Sequence, residues 1–115
     1  NIIQGKVSPF LQHDEAQAQI KYEGNIVYGA KTGVSSMKGL LAVDPKLMKD
    51  KSGLYRPQKD SPAKGEAKGS YPKITHDLDG HKRPGQSDVG ADQISTDPIT
   101  RRPLSMQDVG PAWKR

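Results

Sequence analysis

The residues best equipped for chemistry lie in two short clusters. Asp77-Leu78-Asp79-Gly80, with His76 and His81 on either side, sets two carboxylates two positions apart before a glycine. That spacing resembles the opening of a calcium loop. A third acidic position and the closing bidentate Glu of the 12-residue loop are missing, and no flanking helices are suggested. Asp79-Gly80 is instead a good tight-turn dipeptide, so a turn is the expected structure. The two histidines are five apart, which is not the helical spacing of a zinc protease. In the second cluster His13 precedes Asp14 and Glu15, a general base with orienting acids in outline. No nucleophile or partner can be placed beside it, and a surface turn accounts for it. There is no cysteine, which excludes disulfides and thiolate zinc sites.

The elements that must position these residues are announced at the start of the chain. Asn1-Ile2-Ile3-Gln4-Gly5 recurs as Asn25-Ile26-Val27-Tyr28-Gly29, 24 positions later. Each copy holds a β-branched pair suited to a pleated surface and a glycine that permits the ending turn. A period between about 20 and 50 residues is the sign of a solenoid, and the strand-like copies point to a parallel β-helix. Stacked Asn residues at a shared turn form amide ladders, so Asn1 and Asn25 are expected one above the other. Within the period, Ala16 to Tyr22 alternates as a half-buried strand does. Ala30 to Ser36 reads as a short strand framed by glycines, and Gly39 to Val43 as a buried strand or short helix. No third Asn copy stands near position 49, so the regular coils are expected to end about there.

From Ser52 the texture changes. Pro57, Pro62, Pro72 and Pro84 alternate with Gly65, Gly69, Gly80 and Gly85, and apolar residues become isolated. The expected fold class is all-β: the last rungs of a right-handed parallel β-helix over residues 1–50, then an irregular covering tail over 51–115. Leu54, Tyr55, Tyr71, Ile74 and Leu78 are the expected anchors of that tail. A cover suits such a fold, because an open solenoid end exposes strand edges.

Composition bounds the rest. Leu, Ile, Val and Phe make up 21 of 115 residues, under the level of about 20% at which chains struggle to bury a core. One domain completed by rungs outside this sequence reconciles that shortage with the repeat; the start on Asn1 is read the same way. Lys and Arg outnumber Asp and Glu by 18 to 13, which favours polyanionic partners. Tyr55-Arg56, Tyr71 with Lys73, and Trp113 with Lys114-Arg115 place rings beside cations, but no nucleic-acid-binding signature accompanies them. No apolar run approaches the roughly 18 residues of a membrane span.

Gly53-Leu54-Tyr55-Arg56-Pro57, Asp60-Ser61-Pro62-Ala63, Tyr71-Pro72, Asp77-Leu78-Asp79-Gly80 with Arg83-Pro84, and Asp88-Val89-Gly90-Ala91-Asp92-Gln93 follow in order. Arg102-Pro103-Leu104 then leads into Asp108-Val109-Gly110-Pro111-Ala112-Trp113. Over about residues 24 to 113 this series resembles the C-terminal end of polysaccharide lyase family six, the alginate lyase and chondroitinase B group. The resemblance implies an exported bacterial enzyme, secreted or periplasmic, that cleaves uronate-containing polysaccharide by β-elimination. Such chemistry needs cationic help, because the proton removed lies alpha to a carboxylate. In the family a calcium ion held by Asn and Glu serves that purpose, with a Lys base and an Arg acid, on central rungs. No catalytic or metal residue is therefore expected in this segment, and its partners are the preceding rungs and the anionic polysaccharide. Lys21, Tyr22 and Tyr28 on the rung surface are the candidate sugar contacts, with packing or plain solvation as the competing account. A non-catalytic β-helix end that binds polysaccharide or caps an adhesin is the alternative function.

Overall fold

A computed structural model of the chain describes residues 1–6, 21–29 and 38–110. Among them the fold is all-β, with no helix. Strands β1 (Ile2–Gln4), β2 (Asn25–Tyr28) and β3 (Leu40–Ala42) form a parallel sheet in the order β1-β2-β3. Ile2 pairs with Ile26, Ile3 with Val27 and Gln4 with Tyr28, so the 24-residue repeat is the register of the first pair. The Asn1 side-chain amide donates to Asn25 Oδ1 at 3.0 Å, as the ladder requires.

The next parallel pairing has a shorter offset. Asn25 pairs with Leu40, Ile26 with Leu41 and Val27 with Ala42. The third strand therefore follows 15 residues behind the second and carries no Asn, which is why it does not appear as a repeat. Gly39 to Val43 supplies this strand, but only Leu40 is buried in it; Leu41 is half-exposed. Ile26 and Val27 are both buried, so the central strand is covered on both faces, as suits a parallel sheet. Strands β4 (Leu47–Lys49) and β5 (Tyr55–Pro57) then form an antiparallel hairpin across the expected boundary at residue 50. Most of the strand expected over Ala16 to Tyr22, and all of that over Ala30 to Ser36, lies outside the described residues; Lys21 and Tyr22 are not in a strand.

The tail is laid against the sheet, but by other residues than expected. Ile26, Ala63 and Val89 form the buried core, with Ile2 and Val43 packed against it. Tyr55, Tyr71 and Ile74 are instead more than half exposed, and Leu78 is 41% exposed. Within the tail, Val89 N–H donates to the Ala63 carbonyl at 2.8 Å, and Ser61 Oγ donates to the carbonyl of Pro45, just before β4, at 2.6 Å. These bonds hold Ala63 and Val89, both buried, in the core with Ile26.

Close backbone approach explains two glycines. Gly29 and Gly39 have φ of 101° and 81°, in the left-handed region. A Cβ on Gly39 would stand 1.8 Å from the Tyr22 carbonyl oxygen, and one on Gly29 would stand 2.2 Å from that of Gly5. Gly39→Ala is expected to lower stability by about 1–3 kcal/mol from backbone conformation alone, before the clash is counted. Gly85→Ala, whose added methyl would meet nothing within 4 Å, should change it by less than about 0.5 kcal/mol. Urea unfolding of the two variants checks both.

Candidate functional site

The Asp77–Gly80 segment forms the expected turn. His76 and Lys82 pair antiparallel on either side, and Asp77 N–H donates to the His81 carbonyl at 2.9 Å. The Asp77 carboxylate organises the interior: Oδ1 accepts the backbone N–H of Asp79 (2.9 Å) and of His81 (2.8 Å). Oδ2 accepts that of Gln93 at 2.8 Å, tying the turn to the loop after Val89. Burial pushes this carboxyl up, but the three N–H donors outweigh it and hold it below the usual range.

Beside the turn, Arg56 of β5 gathers three carboxylates. Its Nε donates to Asp50 Oδ2 at 2.6 Å, and both terminal nitrogens donate to Asp79, Nη2 at 3.1 Å. Nη1 also lies 3.4 Å from Asp92 Oδ2. Asp79 is 2% exposed, so this fork neutralises a carboxylate almost out of water. Asp50 is held well below the usual carboxylate range by the Ser52 hydroxyl first, then by Arg56. Arg56 is correspondingly raised, chiefly by Asp79. Asp92 moves the other way. Burial pushes its carboxyl up, Arg56 counteracts, and the charges of Asp79 and Asp77 push it further up.

His81 stands within this group, 7% exposed. Its Nε2 is 2.9 Å from the Asp97 carbonyl, which can only accept, so Nε2 carries a proton. Nδ1 lies 3.3 Å from Asp77 Oδ2 without a hydrogen bond. One ligand atom each from Asp77, His81 and Asp92 lies within 4.8 Å of the others, the arrangement a metal ion could use. The sequence reading had the Asp77 turn but set His81 aside, and it passed over Asp92 because the partner residues are 11 and 15 positions away.

The expected sugar contacts are not brought together with any of this. Lys21 is paired with Glu23 at 2.9 Å and is 80% exposed, Tyr22 is half-buried, and Tyr28 is 40% exposed at the end of β2. None of the three lines an open cleft of about 930 Å³ elsewhere on the surface. That cleft runs from Asn1 and Ile2 to the exposed faces of Tyr55, Tyr71, Ile74 and Leu78, with Lys68 and Arg83 also on its walls. Tyr55 and Tyr71 were expected to anchor the tail, and they line its open surface. His13, Asp14 and Glu15 lie outside the described residues, as do Trp113, Lys114 and Arg115.

No protein-family model, curated protein or solved structure matches the chain. Among the described residues no helix is long and apolar enough to cross a membrane.

Arg56 is the residue whose loss should be felt most. Arg56→Met leaves Asp79 buried without its counter-charge and is expected to cost about 3 kcal/mol, the lower end for breaking a buried pair. The lower end applies because Arg56 keeps 21% of its side chain exposed. Arg56→Lys should recover only part of this, because an ammonium cannot fork across Asp79 and reach Asp50 together. Equilibrium unfolding in urea measures both.

The depressed Asp50 gives a pH signature. A carboxyl whose folded pKa lies below its unfolded value stabilises the fold above the unfolded value of about 3.9. That contribution is lost as pH falls through the folded value. The urea midpoint should therefore drop below about pH 4. Asp50→Asn should lower the midpoint at neutral pH and make the acid decline shallower.

Proposed function

We propose that this chain is the C-terminal part of a polysaccharide lyase of the family-six kind, supplying the last parallel coils and the covering tail. The observation that carries the reading is the Asn1–Asn25 side-chain stack at a 24-residue parallel register. Stacked Asn residues between coils are what a right-handed parallel β-helix would place there, and the motif series from Gly53 to Asp108 follows them in the sequence. In this reading the substrate is a uronate polymer, alginate ahead of dermatan or chondroitin sulfate, and the enzyme is exported. Proton abstraction alpha to the uronate carboxylate belongs to preceding coils, where calcium, a Lys base and an Arg acid would act. This segment's part is structural. The net charge of +5 suits a polyanionic substrate.

Absorbance of unsaturated uronate released from alginate tests the reading. The protein that carries these residues behind further coils should produce it, and the 115-residue chain alone should not. Release by the isolated chain, or none from alginate, dermatan or chondroitin sulfate by the longer protein, would overturn it.

The cleft favours a second reading, a non-catalytic β-helix end that binds polysaccharide. Tyr55 and Tyr71 present 65% and 70% of their surface along it, and Lys49 Nζ lies 5.9 Å from the Tyr55 ring centre. Rings with neighbouring cations suit stacking on an anionic sugar. Under that reading, Tyr55→Ala with Tyr71→Ala should abolish retardation of the protein in an alginate-containing native gel, with the fold unchanged by circular dichroism.

A further inference from the structure

We propose that Asp77, His81 and Asp92 bind one divalent transition-metal ion, of which zinc is the type. The three side chains offer ligand atoms within 4.8 Å of one another. Proximity of acidic groups would not suffice, but His81 adds an independent observation. Its Nε2 proton is committed to the Asp97 carbonyl, so whenever the ring is neutral it turns a bare Nδ1 lone pair towards Asp77 Oδ2 at 3.3 Å. Nδ1 is buried and has no hydrogen-bond partner. Two lone pairs facing each other out of water repel unless a cation lies between them. Two ligands on one tetrahedral zinc, at bonds of about 2.0–2.1 Å, stand roughly 3.4 Å apart.

The surroundings fit a metal in two further respects. Asp50, Asp79 and Asp92 share the guanidinium of Arg56, with Asp77 adjoining and Arg101 on the Asp77 carbonyl, so four carboxylates face two guanidinium groups. The ligands are also held by outer partners: Asp97 orients the imidazole, three backbone N–H groups fix Asp77, and Arg56 braces Asp92. One imidazole nitrogen with two carboxylate oxygens suits zinc or manganese over calcium, which takes oxygen ligands. Bound there, the ion would clamp the 76–82 turn to the loop carrying Asp92. The competitor for the same space is a proton on Nδ1.

Calorimetric titration of the chelator-stripped protein with zinc chloride tests the site, with nitrogen NMR of the His81 ring alongside. One equivalent should bind, and the Nδ1 resonance should move to the position of a metal-bound nitrogen. Asp92→Asn and His81→Gln should each weaken binding by more than the roughly 10- to 100-fold that loss of an outer partner costs. His76→Gln, on the exposed side of the turn, should leave it unchanged. Asp92→Asn removes no backbone hydrogen bond and carries the test alone if His81→Gln fails to fold. Absence of saturable binding, undiminished affinity in Asp92→Asn, or an Nδ1 that stays protonated in excess zinc would each overturn the proposal.

Discussion

The tail depends on one charged contact, the fork of Arg56 on Asp79. Asp79 is almost fully buried, and a carboxylate in that position is tolerable only with its counter-charge in place. Several segments converge there. Arg56 brings β5 and, through Asp50, the hairpin turn; the Asp79 carbonyl accepts the backbone N–H groups of Thr100 and Arg101 at 2.9 and 3.0 Å. Asp77 draws in the loop at Gln93, and Arg101 Nη1 donates to the Asp77 carbonyl at 3.3 Å. Chain with hardly any regular secondary structure is thereby given a fixed path.

Polar organisation on this scale follows from the supply of side chains. With about a fifth of its residues drawn from Leu, Ile, Val and Phe, the chain cannot fasten some 60 tail residues by apolar contact alone. Carboxylates take over. Asp88, 1% exposed, accepts the N–H of Gly65 at 2.7 Å through one oxygen and that of Ile94 at 2.6 Å through the other. Each such bond to a charged acceptor contributes about 1.5–3 kcal/mol and satisfies a backbone group that no strand partner reaches. The apolar share of the attachment falls to Ala63 and Val89 against Ile26, small residues where the backbones come together.

This division decided what could be read from the sequence. The first two strands were legible because the same residue types recur at the same places, and the Asn pair fixed their register. The third was not legible as a copy of the repeat, because it follows the second by 15 residues and lacks the Asn. The tail's anchors differ from those expected: spacing alone did not show which residues meet Ile26, and Ala63 is inside while Tyr71 is outside. The Asp-Leu-Asp-Gly turn was legible from local chemistry. The grouping of Arg56, His81 and Asp92 around it was not, since these residues meet only through the tertiary path that the carboxylates impose.

The same path links the buried charges to the open cleft. Along β5, successive side chains point to opposite faces, and Tyr55 lines the cleft while Arg56 turns inward to Asp79. In the turn, Leu78 reaches the cleft between Asp77 and Asp79, both of which are buried. Part of the cleft wall is therefore the outer face of elements whose inner face holds the charge cluster, and Asp92 of that cluster lines the cleft itself. Anything that alters the compensation of those carboxylates, whether a proton, a metal ion or a changed Arg56, acts on backbone that also carries Tyr55 and Leu78. A binding surface built this way takes its shape partly from ionic contacts behind it and partly from the apolar core, since Ile2 and Val89 also line the cleft.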